Sequence, residues 1–136
     1  MTKTIALGFD YGLKRIGLAV GQNITQTASP LETLVVCDGQ IDWVYCDQVV
    51  AAWRPTVLVV GWPVAELETD QTLAKEVRLF SQQLAQRYQL PVERVDERFT
   101  TREARLYLQQ KQGKSVNHLK VDGIAACLIV ESYLRG

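Results

Sequence analysis

Two short alternating stretches constrain this chain most. In residues 5–10, IALGFD, the large apolar Ile5, Leu7 and Phe9 alternate with Ala6, Gly8 and Asp10. In residues 16–21, IGLAVG, Ile16, Leu18 and Val20 alternate with Gly17, Ala19 and Gly21. A period of two is the signature of a strand, and a link as short as YGLK makes the pair a hairpin. Asp10 shares its strand face with Ala6 and Gly8, and such small residues let another element approach closely. The first strand thus ends in a carboxylate, with Lys14 and Arg15 just across the turn.

Further elements follow in order. A third strand is expected around Leu31–Val36, after Pro30, and Asp38-Gly39 then opens a helix with Ile41, Val44, Tyr45, Val49 and Ala52 at helical spacing. The continuously apolar TVLVVG, residues 56–61, suits a central parallel strand buried on both faces. Leu73, Val77, Phe80, Leu84 and Tyr88 mark a long amphipathic helix. PVERVDE is a fifth strand, TTRE offers a capping box with Thr100 and Glu103, and NHLKVDGIAACLIVESYL closes the chain as a helix. The order β-β-β-α-β-α-β-α-α implies an α/β fold, a mixed five-stranded sheet flanked by helices. At 136 residues the expectation is one domain, 1–136.

Composition narrows the function classes. Formal net charge is zero, so a generic polyanion binder is not indicated. Bases nevertheless concentrate late, with Arg98, Arg102, Arg105, Lys111, Lys114 and Lys120 facing Glu103 alone between residues 98 and 120. Such a segment can bind an anion locally or be a solvated surface. His118 is the single histidine, which argues against a His-rich zinc site and a Ser-His-Asp triad. No signal-peptide core or membrane-length apolar run is present. Cys37, Cys46 and Cys127 show no CxxC spacing, and the expectation is a reduced cytoplasmic setting with the thiols as small core residues.

Carboxylates carry the candidate chemistry. On the last helix, Asp122 lies three and four residues before Ala125 and Ala126, on nearly the same side. If this small patch packs on the first strand, Asp122 approaches Asp10. The fifth strand ends in Asp96 and Glu97, and strand C-termini line the ligand crevice of α/β sheets. Neighbours on a regular strand point to opposite faces, so one of these two can join the site. Three converging carboxylates repel one another unless a divalent ion is present, and oxygen donors suit Mg²⁺ or Mn²⁺. Two such ions activate water for phosphodiester cleavage. Each acid also has a structural role open to it: Asp10 in a turn, Asp122 in a first helical turn, Glu97 paired with Arg94 or Arg98. Trp62 in GWP can stack on a base or simply pack, and Gly61 can admit a phosphate or mark a plain strand exit.

Together, GFDYGLKRIGLAVG, VVGWP, DERFTTREA and VDGIAACLIVESYL resemble the YqgF family, also called RuvX or Holliday-junction-resolvase-like, over almost the whole chain. The resemblance implies a ribonuclease H-like fold and a metal-dependent endonuclease. It favours RNA as substrate, in maturation of the 16S rRNA 5′ end, with a pre-ribosomal 30S particle as a partner. It implies Asp10, Glu97 and Asp122 as catalytic metal ligands and Mg²⁺ or Mn²⁺ as cofactor, and it places basic residues at Lys14, Arg15 and Arg98; the basic run itself adds Arg102 and Arg105 as expected substrate-binding residues on one phosphate-tracking surface. Rival readings are a resolvase of branched DNA, which a homodimer rather than a monomer would favour, and a non-catalytic ribosome-assembly factor. Two departures stand out. VAELETDQT replaces the family's usual Asp/Asn-Gly-Ser/Thr turn after the G-x-P motif, and Gly123 follows Asp122 inside a helix.

Overall fold

In a computed structural model that describes residues 2–12, 14–63, 71–97 and 118–136, the two alternating stretches pair as antiparallel strands. β1 (Ile5–Asp10) lies against β2 (Arg15–Gln22), with Ile5 opposite Gln22 and Asp10 opposite Gly17. β3 (Thr27–Cys37) adds on the far side of β2 and starts earlier than Pro30 suggests. The next strand, β4 (Gln40–Ile41), covers only Val36 and Cys37 of β3. Pro30 therefore sits on what is locally a sheet edge, where a missing N–H is tolerated.

Among the described residues the sheet has six strands, not five. The extra one arises at Asp38-Gly39, where a helix start was expected. Both residues have positive φ, 51° and 74°, as a two-residue hairpin turn with an Asp-Gly sequence requires. Helix α1 (Trp43–Trp53) begins later, capped by Asp42, whose Oδ1 accepts from the Tyr45 N–H at 3.1 Å. Its buried residues are Cys46 and Val49, whereas Val44 points outward and is 70% exposed. Arg54 in the left-handed region, followed by Pro55, ends the helix.

The chain then returns to the sheet centre. β5 (Val57–Pro63) runs parallel to β1, and β6 (Val92–Glu97) runs parallel to β5. The strand order is β4-β3-β2-β1-β5-β6. Helix α2 (Gln71–Tyr88) connects the last two strands, and α3 (His118–Arg135) closes the chain. The expected capping box at Thr100 lies outside the described residues. Two cores result. Leu7, Phe9, Ile16, Leu18, Leu58 and Val60 face α1 and α2. Ala6, Ala19, Val57 and Val59 face Ala126, Cys127, Ile129 and Val130 of α3. Cys46 and Cys127 are core residues as expected, but Cys37, at the end of β3, is exposed; all three thiols are free. No helix among the described residues is long and apolar enough to cross a membrane.

α1 and α2 are clasped by Asp47. The Arg87 guanidinium donates to both carboxylate oxygens, at 2.8 and 2.7 Å, and the Tyr88 hydroxyl donates to Oδ1 at 2.6 Å. Arg87 also lies over the Trp43 ring, 5.0 Å from its centroid. The hydrogen bonds from Arg87, then Tyr88, lower the Asp47 pKa to about 2. Such a group stabilises the fold above its unfolded pKa and loses that contribution as pH falls through the folded value. Wild type should therefore keep a constant advantage over Asp47→Asn above about pH 5 and lose it progressively between about pH 4 and 2. The effect should be modest, because the pair is solvent-exposed. Denaturant melts of both proteins across this range check it.

Candidate active site

Asp10 ends β1 at the C-terminal edge of the sheet and is partly buried. Its partners on the neighbouring strands are both glycine, Gly17 on β2 and Gly61 on β5. Ala6 and Gly8 share its face, and this is the face that α3 covers. A Cβ at Gly8 would lie 2.3 Å from Val130 Cγ2 and 3.4 Å from the Ala126 carbonyl oxygen. A Cβ at Gly61 would lie 2.2 Å from Ile129 Cδ1. Both glycines are thus seats for the helix. This accounts for Gly61 without any phosphate, and puts an apolar side chain, Ile129, beside the strand level of Asp10. The small patch expected on α3 is shifted by one residue: Ala126 is fully buried and Ala125 only partly so.

Backbone register locates the other two acids. Gly61 pairs with Asp10, and Pro63, two residues on, pairs with Glu97. Paired residues and residues two apart lie on one face, so position 97 shares the face of Asp10, at the same edge of the sheet. Asp96 pairs with Trp62, on the opposite face, and forms an ion pair with Arg94. Arg94 also caps the Trp62 ring at 4.3 Å from its centroid, so this face of the tryptophan already has a cationic neighbour. Nothing in the sequence pattern had pointed to that contact, because Arg94 and Trp62 meet only through strand pairing. Position 122 lies one turn before Ala126 on the helix that covers the Asp10 face. Gly123 lies against Pro30 of β3, 2.9 Å from its Cβ to the position a methyl would take. A glycine in the helix interior is therefore a packing requirement here. The side chains of Glu97 and Asp122 lie outside the described residues, as does all of Arg98, Arg102 and Arg105.

The two cations near the turn behave differently. Lys14 is exposed, and its carbonyl accepts from the Val36 N–H at 3.0 Å. Arg15 is partly buried at the start of β2, two residues before Gly17 and so on the face of Asp10. The edge thus combines a half-buried carboxylate, a second acidic position two strands away on the same face, an acidic position on the covering helix, and a cation.

A family model described as "RuvX: Holliday junction resolvase" matches residues 4–136. The chain belongs to the RuvX family. Among curated relatives, the "Putative pre-16S rRNA nuclease" of Francisella tularensis subsp. tularensis (strain WY96-3418) is 38% identical over 128 residues, covering 94% of each chain. The protein of that name from subsp. novicida (strain U112) is also 38% identical over 128 residues, with the same coverage. Among solved structures, T. thermophilus RuvC in complex with a Holliday junction substrate aligns with a TM-score of 0.57 at 17% identity, over 96% of this chain and 93% of that one. The fowlpox virus resolvase, in complex with Holliday junction DNA, aligns with a TM-score of 0.58 at 14% identity, over 97% of both chains. The fold of this RuvX-family chain is therefore the ribonuclease H-like fold of these resolvases.

The seating of α3 is directly testable in this RuvX-family chain. Gly8→Ala should destabilise by about 1–3 kcal/mol, as overpacked cores do. Val130→Ala removes the methyl that the new Cβ meets. The double variant should be less destabilised than the sum of the two single changes, because contacting residues couple. Urea denaturation of the four proteins measures that coupling.

Proposed function

We propose that this protein is a metal-dependent endonuclease whose reaction centre is the β1 edge, with RNA, in maturation of the 16S rRNA 5′ end, as the favoured substrate. The observation that carries this reading is the common face of Asp10, position 97 and α3. The donor set fits a hard divalent ion: it is two aspartates and one glutamate, oxygen donors only, and Mg²⁺ and Mn²⁺ prefer such ligands. The glycines beside Asp10 keep neighbouring strands from crowding its carboxylate. Asp10, Glu97 and Asp122 would hold the ion or ions. When bound, such ions lower the pKa of a water and neutralise charge on the phosphodiester oxygens.

The chain's own groups would divide the remaining work. Ile129 would limit water beside Asp10. Arg15 and Lys14, with Arg98, Arg102 and Arg105, would hold backbone phosphates, and each such contact contributes affinity that falls with salt. The names of the curated relatives support RNA as the substrate. A second reading, resolution of branched DNA by a homodimer, is supported by the description of the matching family, and two symmetric cuts need two sites.

Asp10→Asn separates these enzymatic readings from a purely binding role. Mn²⁺-dependent cleavage should fall by orders of magnitude, while the apo protein should be as stable as wild type or more so, because one member of a repelling acidic group is gone. Mn²⁺ should raise the melting temperature of wild type but not of the variant. Matched RNA and junction-DNA substrates, with chelator as control, identify the preferred polymer. Wild-type cleavage by a folded Asp10→Asn protein would sink the proposed centre.

A further inference from the structure

The sheet face that carries Asp10 continues across β2 and β3. Arg15 pairs with Val35 of β3, so Val35 lies on that face. Leu34 and Val36, on either side of it, belong to the other core. Val35 itself is 53% exposed. α3 meets β3 further back along the strand, where Gly123 rests on Pro30. Between these two points β3 is bulged. Leu31 pairs with Leu18 and Leu34 with Ile16, so Glu32 and Thr33 both stand against Gly17 alone. A bulge bends its strand and strengthens the local twist. The far end of β3 is nevertheless held on both sides. The Val36 N–H donates to the Lys14 carbonyl at 3.0 Å, and the Val35 carbonyl accepts from the Asp42 N–H at 3.2 Å. Two acids of this corner stand beside α1. Asp42 caps that helix. The Tyr45 hydroxyl donates to the Glu32 carbonyl at 2.8 Å, and burial, then the Glu32 carboxylate, raises the Tyr45 pKa.

The two flanks of Asp10 differ in charge on this face. Towards β2 and β3 stand Arg15 and, at the turn, the exposed Lys14. Towards β6 stand Glu93, which pairs with Val59 on the α3 side, and position 97. Arg94, the cation of β6, lies on the opposite face against Trp62. A polyanion is drawn to the first flank and repelled from the second. We propose that a single RNA strand bound at the reaction centre leaves it across β2 and β3, and that Val35 is the positioning residue against which the sugar of a flanking nucleotide packs. Side chains of a cross-strand pair stand about 5 Å apart, so the phosphate of that nucleotide reaches Arg15 or Lys14 while its sugar rests on Val35. A β-branched side chain suits this contact, because it is stiff at χ1 and keeps its shape while exposed. The inference rests on the proposed centre at Asp10 and adds the direction of the strand that leaves it.

The test is the salt dependence of binding, read by fluorescence anisotropy with full-length protein and a single-stranded RNA of about 12 nucleotides. Chelator is present throughout, so that cleavage does not intervene. Val35→Lys sets an ammonium at the proposed contact. It should tighten binding at low salt and steepen the log–log salt slope by about 0.7, the share of one phosphate on a single strand. Val35→Asp, of opposite sign at the same position, should weaken binding. Val44→Lys adds the same cation on α1, at a valine that is 70% exposed in the helix layer behind the sheet, and should leave the slope unchanged. Glu93→Lys reverses a charge on the β6 flank and should steepen the slope less than Val35→Lys does. Thermal unfolding of each variant checks that it is folded. A Val35→Lys slope no steeper than that of Val44→Lys, or a Glu93→Lys slope steeper than that of Val35→Lys, overturns the path while leaving the nuclease reading intact. Wild-type protein that binds the RNA at no salt concentration overturns both.

Discussion

The close approach of α3 to the Gly8 and Gly61 positions is the contact on which the rest of the structure depends. A helix normally stands off a sheet by the depth of its side chains. Here Val130 and Ile129 occupy the volume that Cβ atoms would take on β1 and β5, so the helix is held in one place on the sheet. The contact also keeps the first and last elements of the fold together although they are far apart in the chain. Because Asp10 follows Gly8 by two residues, the same contact governs what lies next to the carboxylate. Stability and the geometry of the candidate centre therefore share one interface, and interiors packed at crystal-like density transmit a shift at one point to its neighbours.

The opposite face of the sheet is built on different principles. There, large side chains from β1, β2 and β5 meet α1 and α2 in a conventional apolar core. The helices are tied to each other by the Asp47, Arg87 and Tyr88 cluster. An exposed ion pair is worth little by itself, but here a bidentate guanidinium, which also lies over the Trp43 ring, and a partly buried phenol converge on a single carboxylate. The aromatic series Tyr11, Phe80, Trp43 connects that cluster to the strand end that carries Asp10. The two faces thus meet at one sheet edge, with small residues and acids on one side and aromatic and amide groups on the other.

Where the sequence pattern misled, a local signal had two meanings. Asp38-Gly39 fits a helix start and a hairpin turn equally well, and positive φ at both residues decided for the hairpin. Helical spacing through Val44 put the wrong residue on the inner face of α1: Val44 is exposed, and Cys46, expected in the core only as a small thiol, is fully buried there. Gly61 before Trp-Pro is compatible with ligand approach, and only the position of Ile129 shows that a side chain fills the space. Asp96 and Glu97 are indistinguishable in alternation alone, since the phase of a short strand is set by its partner.

The sequence by itself determined the hairpin, the buried central strand, the two long helices and the small-residue face that ends in Asp10. These are local matters: side-chain size and period act between residues a few positions apart, and no distant partner is needed to read them. Only the tertiary structure decided which side of the sheet each helix covers, that position 97 rather than Asp96 shares the Asp10 face, and that Tyr11 and Glu76 border one cleft. Those outcomes depend on strand register and on contacts between residues about half a chain apart. Register is fixed by the packing of whole faces against one another, and that information is spread over many residues rather than written at any one of them.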